Sequence, residues 1–371
     1  MDAIRRFDRH IEAADRVATE VPSAKPRTLL RAQGIDAAFP VRRSLAEVLD
    51  RAPRRAVRAV QDLSLELHAT ETVGLVGESG SGKTTFARVL LGLVTPQAGR
   101  LEAEGRTLAP ALADRRRDDL RRLQTVAQSP DDAFNPYRSI GGSLARPLVR
   151  LAGLGRREAR SEVAELLRRV GLSSGYASRM PDQLSGGEKQ RAAIARAFAA
   201  DPAIVICDEA TSSLDVSVQA MVLNLLRSLQ AEFSGAYLFI THDLAVVAHL
   251  ADRIAVMYLG RLMEHGRRDE VLSPPYHPYT EALLSSFPGL GRSDDVESAP
   301  LAGDVPSPVD VPGGCPFHTR CPRMLGPVCQ LHAPPWREVG GEHRIYCHIP
   351  LDDLVRLQRP IFEDVRREDA R

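Results

Sequence analysis

The 371-residue sequence predicts an α/β fold that is followed by a loop-rich C-terminal extension. One observation is a short apolar strand, residues 72–77, that leads into a glycine-rich turn and then into a helical pattern. Another is a second apolar run, residues 203–207, that ends in two adjacent carboxylates. The third is that more than half of the 26 prolines follow residue 273, where the regular pattern of strands and helices stops. We therefore expect an open sheet with a ligand crevice at its strand ends, joined to an irregular tail.

The overall composition limits the classes of protein that fit. The chain has 49 Lys and Arg against 48 Asp and Glu and shows no basic stripe interleaved with aromatic residues, so a nucleic-acid partner is not expected. No apolar run approaches the ~18 residues that cross a bilayer. The N-terminus lacks the apolar region of a secretory signal. We therefore expect the chain to stay in the cytoplasm, where thiols are kept reduced.

Lysine is rare in this chain. Only Lys25, Lys83 and Lys189 occur among the 49 cationic residues, so arginine serves wherever a general positive charge suffices. A site that needs a compact ammonium on a flexible stem cannot accept arginine, whose guanidinium is a wide planar fork. Lys83 and Lys189 both lie inside the motifs described next.

The N-terminal segment, residues 1–27, is predicted to be an arm with a short helix. Between residues 2 and 19, apolar residues recur at helical spacing among charges, and a linker follows. A solvated arm and a partner-binding helix are both compatible with this pattern.

The stretch GESGSGKT, which follows the first predicted strand, fits the phosphate-binding pattern G-x-x-x-x-G-K-[ST]. Gly77, Gly80 and Gly82 allow the backbone to curl so that its N–H groups and the N-terminus of the next helix point at phosphate oxygens. Lys83 can reach the β- and γ-phosphates, and the Thr84 hydroxyl can coordinate Mg²⁺. The flanking strand and helix are those that the motif requires, so we predict a nucleoside triphosphate site.

The two carboxylates after the second predicted strand are Asp208 and Glu209. Carboxylates at the C-terminal edge of a sheet face the ligand crevice of an open α/β fold. One of them can hold Mg²⁺ through its water shell, and the other can orient or deprotonate an attacking water. We therefore expect both to belong to the triphosphate site.

A second anion-binding end is predicted between these two strands. Ser185, Gly186 and Gly187 precede a run of strong helix formers, so a serine hydroxyl and backbone amides lie at a helix N-terminus. One chain thus carries two phosphate-binding ends.

Six motifs stand in the order and spacing of the ATP-binding cassette family, which the chain resembles over residues 28–270. They are the GESGSGKT loop, TVAQSP with Gln128, LSGGEKQ, IVICDE, SSLD with Asp215 and ITHD with His242. The resemblance implies a P-loop NTPase fold with a RecA-like core, an antiparallel β subdomain and a helical subdomain at about residues 131–184. It also implies a head-to-tail dimer, in which ATP on the GESGSGKT loop of one cassette is completed by the LSGGEKQ segment of the other.

The same resemblance implies roles for individual residues. Glu209 resembles the general base, and His242 resembles the switch histidine that contacts the γ-phosphate. Gln128 resembles the glutamine that senses Mg²⁺ and the attacking water, Asp208 would assist the Mg²⁺ held by Thr84, and the loop aspartate would communicate across the dimer. The residues expected to contact the nucleotide or its metal are Gly77, Glu78, Ser79, Gly80, Ser81, Gly82, Lys83, Thr84, Thr85, Asp208, Ser185, Gly186, Gly187, Glu188 and Asp215.

The adenine contact rests on one aromatic residue. Members of the family stack the base on an aromatic side chain upstream of the phosphate loop, and Phe39 is the only nearby candidate. A core position for Phe39 is compatible with the same sequence.

The C-terminal extension, residues 271–350, is followed by a tail at residues 351–371. HPYTEALL and a later CPFHTRCP stretch resemble the extension of the oligopeptide/dipeptide permease ATPases, a subfamily that includes nickel importers. The insertion at residues 39–60 resembles the second of the two ATPase subunits that such permeases carry. The resemblance implies a peripheral subunit on the cytoplasmic membrane face. Its partners would be a second ATPase subunit, two transmembrane subunits and, indirectly, an extracytoplasmic solute-binding protein.

Two features bear on competing assignments. A soluble cassette ATPase of the translation or DNA-repair type would carry two cassettes or a long coiled coil, whereas this chain has one phosphate loop and no heptad run. The AQSPDDAFNP stretch differs from the usual loop of the permease family, so the membrane partner could differ as well.

Four of the five cysteines, Cys315, Cys321, Cys329 and Cys347, lie close together in the extension. Their C-x5-C-x7-C-x17-C spacing is too wide for a zinc knuckle, whose ligands come in close pairs. Four thiolates can hold Zn²⁺ or a [4Fe–4S] cluster, and free thiols are a third possibility. The resemblance to the permease ATPases implies the cluster, because some of them carry one here. The fifth cysteine, Cys207, is expected to be a small core residue.

Overall fold

The computed structural model describes residues 27–43, 50, 54–211, 215–286 and 303–361. The predicted N-terminal helical arm therefore lies outside the described residues. None of the helices in the described ranges has both the length and the apolar content needed to cross a bilayer.

The described chain alternates strands and helices and then returns to strands near its C-terminus. The strands are β1 (Thr28–Pro40), β2 (Ala56–His68), β3 (Thr72–Val76), β4 (Ala98–Ala103), β5 (Arg106–Thr107), β6 (Leu123–Val126), β7 (Ile204–Asp208), β8 (Ala236–Thr241), β9 (Arg253–Tyr258), β10 (Arg261–Arg267), β11 (Trp336–Gly340) and β12 (His343–Tyr346). The α-helices are α1 (Lys83–Leu90), α2 (Arg117–Arg122), α3 (Ile140–Pro147), α4 (Arg156–Arg169), α5 (Gly186–Phe198), α6 (Val216–Phe233), α7 (Leu244–Leu250), α8 (Arg268–Val271), α9 (Pro278–Ser285), α10 (Pro327–Leu331) and α11 (Leu351–Leu357).

The larger sheet has eight strands in the order β11-β12-β10-β9-β3-β8-β7-β6. Its central strands β9, β3, β8, β7 and β6 are parallel, and β3 and β8 are buried along their whole length. Strands covered on both faces are continuous apolar runs, which is why residues 72–77 and 203–207 read as strands in the sequence. The α/β prediction is confirmed.

The smaller sheet is antiparallel, in the order β2-β1-β4-β5. β1 and β2 form a long hairpin, in which Phe39 pairs with Val57 and Pro40 with Ala56. Part of the insertion noted in the sequence therefore lengthens this hairpin. The inner faces of both sheets share one apolar core, which includes Ile35, Leu63 and Leu75.

Between β6 and β7 the chain forms the helices α3, α4 and α5. Their buried faces form one apolar cluster with strand residues such as Cys207 and Phe239. α4 shows the expected amphipathic spacing, because its buried residues Ala159, Val163, Leu166 and Leu167 follow a period of three to four. This helical layer is thus packed directly on the parallel sheet.

The C-terminal extension is more regular than its proline content predicts. β12 pairs antiparallel with β10, and β11 pairs with β12, so the extension continues the main sheet at one edge. Phe317, Tyr258 and Tyr279 are fully buried together with Cys315 and Cys329 in one apolar cluster. The extension therefore shares a hydrophobic core with the ATPase fold.

Candidate functional site

The phosphate loop, residues 77–84, connects β3 to α1 and is tightly enclosed. A Cβ atom on Gly77 would lie 2.1 Å from the Met257 carbonyl oxygen, and one on Gly82 would lie 2.0 Å from that of Ala59. Gly82 also has a φ of 105°, which favours glycine. The loop therefore needs glycine at both positions for steric reasons, and the hairpin strand β2 lies directly against it.

Lys83 opens α1 and points back into the loop. Its ammonium donates hydrogen bonds to the carbonyl oxygens of Gly77 and Glu78, at 2.7 and 2.9 Å, and to Ser81 Oγ at 3.3 Å. Burial lowers the pKa of Lys83, while the nearby carboxylates, Glu209 first among them, oppose that shift. The ammonium is held where the motif requires a phosphate ligand.

Asp208 and Thr84 meet at the end of β7. The Thr84 hydroxyl donates a hydrogen bond to Asp208 Oδ1 at 3.2 Å, and Thr85 follows in the first turn of α1. Burial raises the pKa of Asp208, and the hydrogen bond from Thr84 opposes this. A hydroxyl and a carboxylate oxygen at this distance form the hard oxygen pair that Mg²⁺ prefers.

Glu209 is held by residues from both neighbouring strands. Gln128, just after β6, donates a hydrogen bond through Nε2 to Glu209 Oε2 at 2.9 Å. His242, just after β8, has Nδ1 3.3 Å from Glu209 Oε1. Glu209 has a φ of 48°, and its backbone N–H donates to the Ile240 carbonyl oxygen at 2.8 Å. The three predicted catalytic residues therefore lie together at the edge of one sheet.

The phosphate-loop cleft has a volume of about 500 Å³ and opens beside these groups. It is lined by Gly77, Glu78, Ser79, Glu209, His242, Leu283 and Ser286. Leu283 and Ser286 belong to α9 and its C-terminal end, so the extension forms one wall of the cleft. The sequence did not predict this wall, because its residues lie about 200 positions after the loop.

Two further residues of the extension contact the loop at Glu78. The Tyr279 hydroxyl accepts a hydrogen bond from the Glu78 backbone N–H at 2.9 Å. Arg320 donates two hydrogen bonds to the Glu78 carboxylate, at 2.6 and 3.0 Å. The only sequence signal for either residue was its place in a motif of the extension, HPYTEALL or CPFHTRCP.

A second cleft, of about 340 Å³, lies at the N-terminus of α5 and is called here the Ser185 cleft. Ser185 caps α5, because its Oγ accepts the Glu188 N–H and its own N–H donates to the Glu188 carboxylate. The Tyr176 hydroxyl donates to Glu188, and this bond, together with the hydrogen bonds from Ser185, lowers the pKa of Glu188 to about 2. The cleft is lined by Ser185, Gly186, Gly187, Glu188, Arg191, Asp215, Val218 and Met221.

The two clefts share no lining residue, and each is lined by some of the predicted nucleotide-binding residues: the first by part of the phosphate loop, the second by Asp215 and the start of α5. Asp215 lies in the Ser185 cleft, where it caps α6 by accepting the Val218 N–H. Lys189 on α5 forms an ion pair with Asp131 at 2.7 Å, which joins this helix to the turn that follows Gln128. Gln190 on α5 is buried and donates to the Ala210 carbonyl oxygen, a contact that the sequence did not predict.

Phe39 lies near the end of β1. The residue is 40% exposed, so it is accessible to a ligand. Its partner Val57 lies on the strand whose Ala59 carbonyl touches the phosphate loop at Gly82. This position is compatible with the predicted adenine contact, and the role stays a prediction.

The four cysteines of the extension lie within electrostatic range of one another. Burial raises the pKa of Cys315 and Cys347 to about 12 and that of Cys321 to about 11, and neighbouring thiols, Cys329 among them, shift each in the same direction. In the described ranges, however, no set of three or more His, Cys, Asp or Glu side chains is arranged to hold a metal ion. The predicted metal at these cysteines is therefore not confirmed. Cys207 is fully buried in β7, as expected for a core residue.

Two family profiles match the chain. The profile described as ABC transporter matches residues 60–212, which include the phosphate loop, Gln128 and Glu209. The profile described as oligopeptide/dipeptide transporter, C-terminal region, matches residues 263–329, which include Tyr279 and Arg320.

Several curated proteins are similar over most of this chain. The probable peptide ABC transporter ATP-binding protein y4tS of Sinorhizobium fredii is 45% identical, covering 79% of this chain and 83% of that relative. The oligopeptide transport ATP-binding protein AppF of Bacillus subtilis is 40% identical, covering 88% of this chain and 99% of that relative. The dipeptide transport ATP-binding protein DppF of Escherichia coli is 40% identical, covering 85% of this chain and 92% of that relative.

Solved structures share the fold of the ATPase part. The ATP-binding cassette MJ0796, a dimer bound to ADP and Pi, has a TM-score of 0.54 at 25% identity and covers 65% of this chain and 99% of its own. CbiO1 from Clostridium perfringens, part of the ABC transporter complex cbiONQ, has a TM-score of 0.55 at 23% identity. The match covers 66% of this chain and 90% of CbiO1.

Proposed function

The chain belongs to the family of ATP-binding subunits of peptide ABC transporters, and on this premise we propose how its two clefts work. ATP with Mg²⁺ binds at the phosphate-loop cleft, and its hydrolysis drives uptake of peptides or a related small solute through membrane subunits. The observation that carries this proposal is the Gln128–Glu209–His242 arrangement beside the phosphate loop.

Each group at this cleft has a role that follows from its position. Lys83 and the loop amides bind the β- and γ-phosphates, and Thr84 with Asp208 holds Mg²⁺, directly or through water. Glu209 orients the attacking water and accepts its proton, since its carboxylate is fixed by two hydrogen-bond partners. His242 also contacts the γ-phosphate. Phosphoryl transfer depends mainly on such positioning and on charge stabilisation.

The test of this assignment is ATP binding and hydrolysis by Glu209→Gln. The substitution keeps the size and shape of the side chain and one of its two accepting oxygens, but it removes the basic carboxylate. We expect MgATP binding to be retained and hydrolysis to be lost. Normal turnover by this variant would remove Glu209 from the base role.

We further propose that the Ser185 cleft closes over ATP held by another ATPase subunit. The support is that Ser185, Gly186 and Gly187 line a cleft that shares no residue with the phosphate-loop cleft. The partner is a second copy or, as the resemblance implies, a homologous ATPase subunit. The complete transporter would add two membrane subunits and a solute-binding protein, with this subunit on the cytoplasmic face of the membrane. Co-purification with the membrane subunits tests the assembly.

The peptide class of the substrate is proposed from the relatives. AppF and DppF are named for oligopeptide and dipeptide transport, respectively. Substrate choice resides in other subunits, so reconstitution of the whole transporter is the test. Uptake of a labelled di- or oligopeptide that depends on ATP is the expected result.

For the four cysteines of the extension we propose a [4Fe–4S] cluster, as the resemblance to the permease ATPases implies. The support is the donor set alone, because four soft thiols can hold an iron–sulfur cluster once they are deprotonated. The cluster would act as a structural clip. Iron, sulfide and zinc analysis of anaerobically purified protein tests this, with about four iron and four sulfide per chain expected. One zinc, or no metal at all, would contradict it.

A further inference from the structure

Glu78, the second residue of the phosphate loop, is held at both its main chain and its side chain by the extension. Its backbone N–H donates to the Tyr279 hydroxyl at 2.9 Å, so this amide is engaged by the protein. Its carboxylate accepts two hydrogen bonds from the Arg320 guanidinium, at 2.6 and 3.0 Å. A bidentate pair of this kind fixes orientation as well as charge.

The Arg320 side chain is buried and packed against an aromatic ring. Its side chain is only 4% exposed, and its guanidinium lies 5.9 Å from the Tyr258 ring. Tyr258, Tyr279 and Phe317 pack against one another with ring centroids 4.8 to 5.3 Å apart. The arginine therefore reaches the loop from a rigid aromatic layer.

The backbone of Arg320 belongs to the cysteine turn, residues 315–321. The Arg320 N–H donates to the Phe317 carbonyl oxygen at 3.0 Å, and the Cys315 N–H donates to the Cys329 carbonyl oxygen at 2.8 Å. Any change in the conformation of this turn moves the guanidinium relative to Glu78. The phosphate loop and the cysteines are thus joined through one side chain.

The charges of Arg320 and Glu78 bear directly on nucleotide binding. The Glu78 carboxylate is close enough to Lys83 to act on its pKa, so it lies near the position of the phosphates. An uncompensated carboxylate at that position would repel ATP, and the Arg320 guanidinium offsets its charge.

We propose that Arg320, which is carried by the cysteine turn, is a positioning residue for the phosphate loop and raises the affinity of this subunit for nucleotide. The inference rests on the ATP-binding role proposed above for residues 77–84. Arg320 acts through Glu78, which it orients and neutralises, while Tyr279 fixes the adjacent main chain.

The test is the Kd for MgATP of the purified full-length chain, compared among matched variants. Arg320→Gln removes the charge and the fork, and we expect the Kd to rise about tenfold. Arg320→Lys keeps the charge but loses the bidentate guanidinium, so its Kd should lie between those of the unaltered chain and Arg320→Gln. Glu78→Gln in the Arg320→Gln background removes the uncompensated carboxylate and should recover part of the lost affinity, a rescue that a merely structural role would not give.

The matched control is Arg323→Gln on the same segment. Arg323 also forms a bidentate pair, with Glu281 at 2.7 and 3.1 Å, but that pair does not touch the loop. Its Kd should equal that of the unaltered chain. An unchanged Kd in Arg320→Gln, an equal rise in Arg323→Gln, or no recovery in the double variant would overturn the inference. Failure of the unaltered chain to bind MgATP would contradict the proposed ATP-binding function itself. Normal binding by that chain with any of the three results above would contradict only the role of Arg320.

Discussion

The phosphate-loop cleft and the Ser185 cleft differ in how their carboxylates are engaged. In the first, Glu209 is oriented by Gln128 and His242 toward open space beside the loop. In the second, Glu188 and Asp215 serve as helix caps that accept backbone N–H groups. The first cleft can therefore perform chemistry, whereas the second offers an anion-binding helix end. This difference agrees with the arrangement proposed above, in which the two clefts act on the same nucleotide from opposite sides, in different subunits.

The largest effect is predicted at Glu209, the proposed general base of the phosphate-loop cleft. Glu209→Gln should lower ATP hydrolysis by about 10³-fold, because a positioned base contributes about that much. Binding of MgATP should change little, because the phosphate ligands remain. Single-turnover hydrolysis by the assembled transporter measures this. A loss of binding equal to the loss of hydrolysis would contradict the assignment.

A substitution in the Ser185 cleft should reduce turnover without affecting binding to the isolated chain. Gly186→Asp places a negative charge where phosphate is expected, and a Cβ at Gly186 meets no atom within 4 Å, so the fold should persist. We expect hydrolysis by the assembled transporter to fall about 100-fold, the effect of losing an electrostatic contact to the reacting group. Gly186→Ala is the matched control and should stay near the activity of the unaltered protein. Weaker MgATP binding by the isolated Gly186→Asp chain would place this cleft in the same half-site as the loop.

Loss of the proposed adenine contact at Phe39 should weaken nucleotide binding moderately. Phe39→Ala removes an exposed ring, and loss of base stacking costs about 1 kcal/mol, roughly fivefold in Kd. Phe39→Tyr keeps the aromatic face and should bind as the unaltered chain does. The Kd for MgATP of both variants, compared with that of the unaltered chain, measures this effect. If Phe39→Ala binds ATP normally, the ring has no part in nucleotide binding.

The smallest effect concerns the pH response of the Ser185 cleft. The folded pKa of Glu188, about 2, lies below its ordinary value of 4.5, so the charged carboxylate stabilises the fold above pH 4.5 and loses that effect as the pH falls toward 2. Tyr176→Phe removes the main cause and should raise this pKa toward 4.5. A ¹³C NMR titration of the carboxyl carbon measures the shift. Glu165, also lowered to about 2 but by Arg168 and Arg169, is the internal control and should not move.

Much of the fold and the site could be predicted because the signals are local. The phosphate loop lies between a strand and a helix in consecutive residues, and Asp208 with Glu209 ends a buried strand. Neighbouring parallel strands then bring the remaining groups together, since β6, β7 and β8 are adjacent in the sheet. Gln128 and His242 carry little local signal of their own, and they were predicted mainly from the family resemblance.

The extension was the part that the sequence predicted least well. Proline content indicated loops, but residues 336–340 and 343–346 contain Trp, Val, Ile and Tyr, and they form two strands that join the main sheet. Contacts such as Arg320 to Glu78 span 242 positions, and no periodicity reports a pair so distant. The assignment of domain limits along the chain stays a prediction.

The proposed mechanism depends on the Ser185 cleft of this chain meeting the nucleotide of another ATPase subunit. The most direct measurement is photo-crosslinking from position 221 in the assembled Glu209→Gln transporter, because Met221 lines this cleft and is 50% exposed. With a photoreactive residue in place of Met221, we expect an adduct with a second ATPase subunit that forms only when MgATP is present. Adducts that form equally without MgATP, or only with the membrane subunits, would contradict the claim.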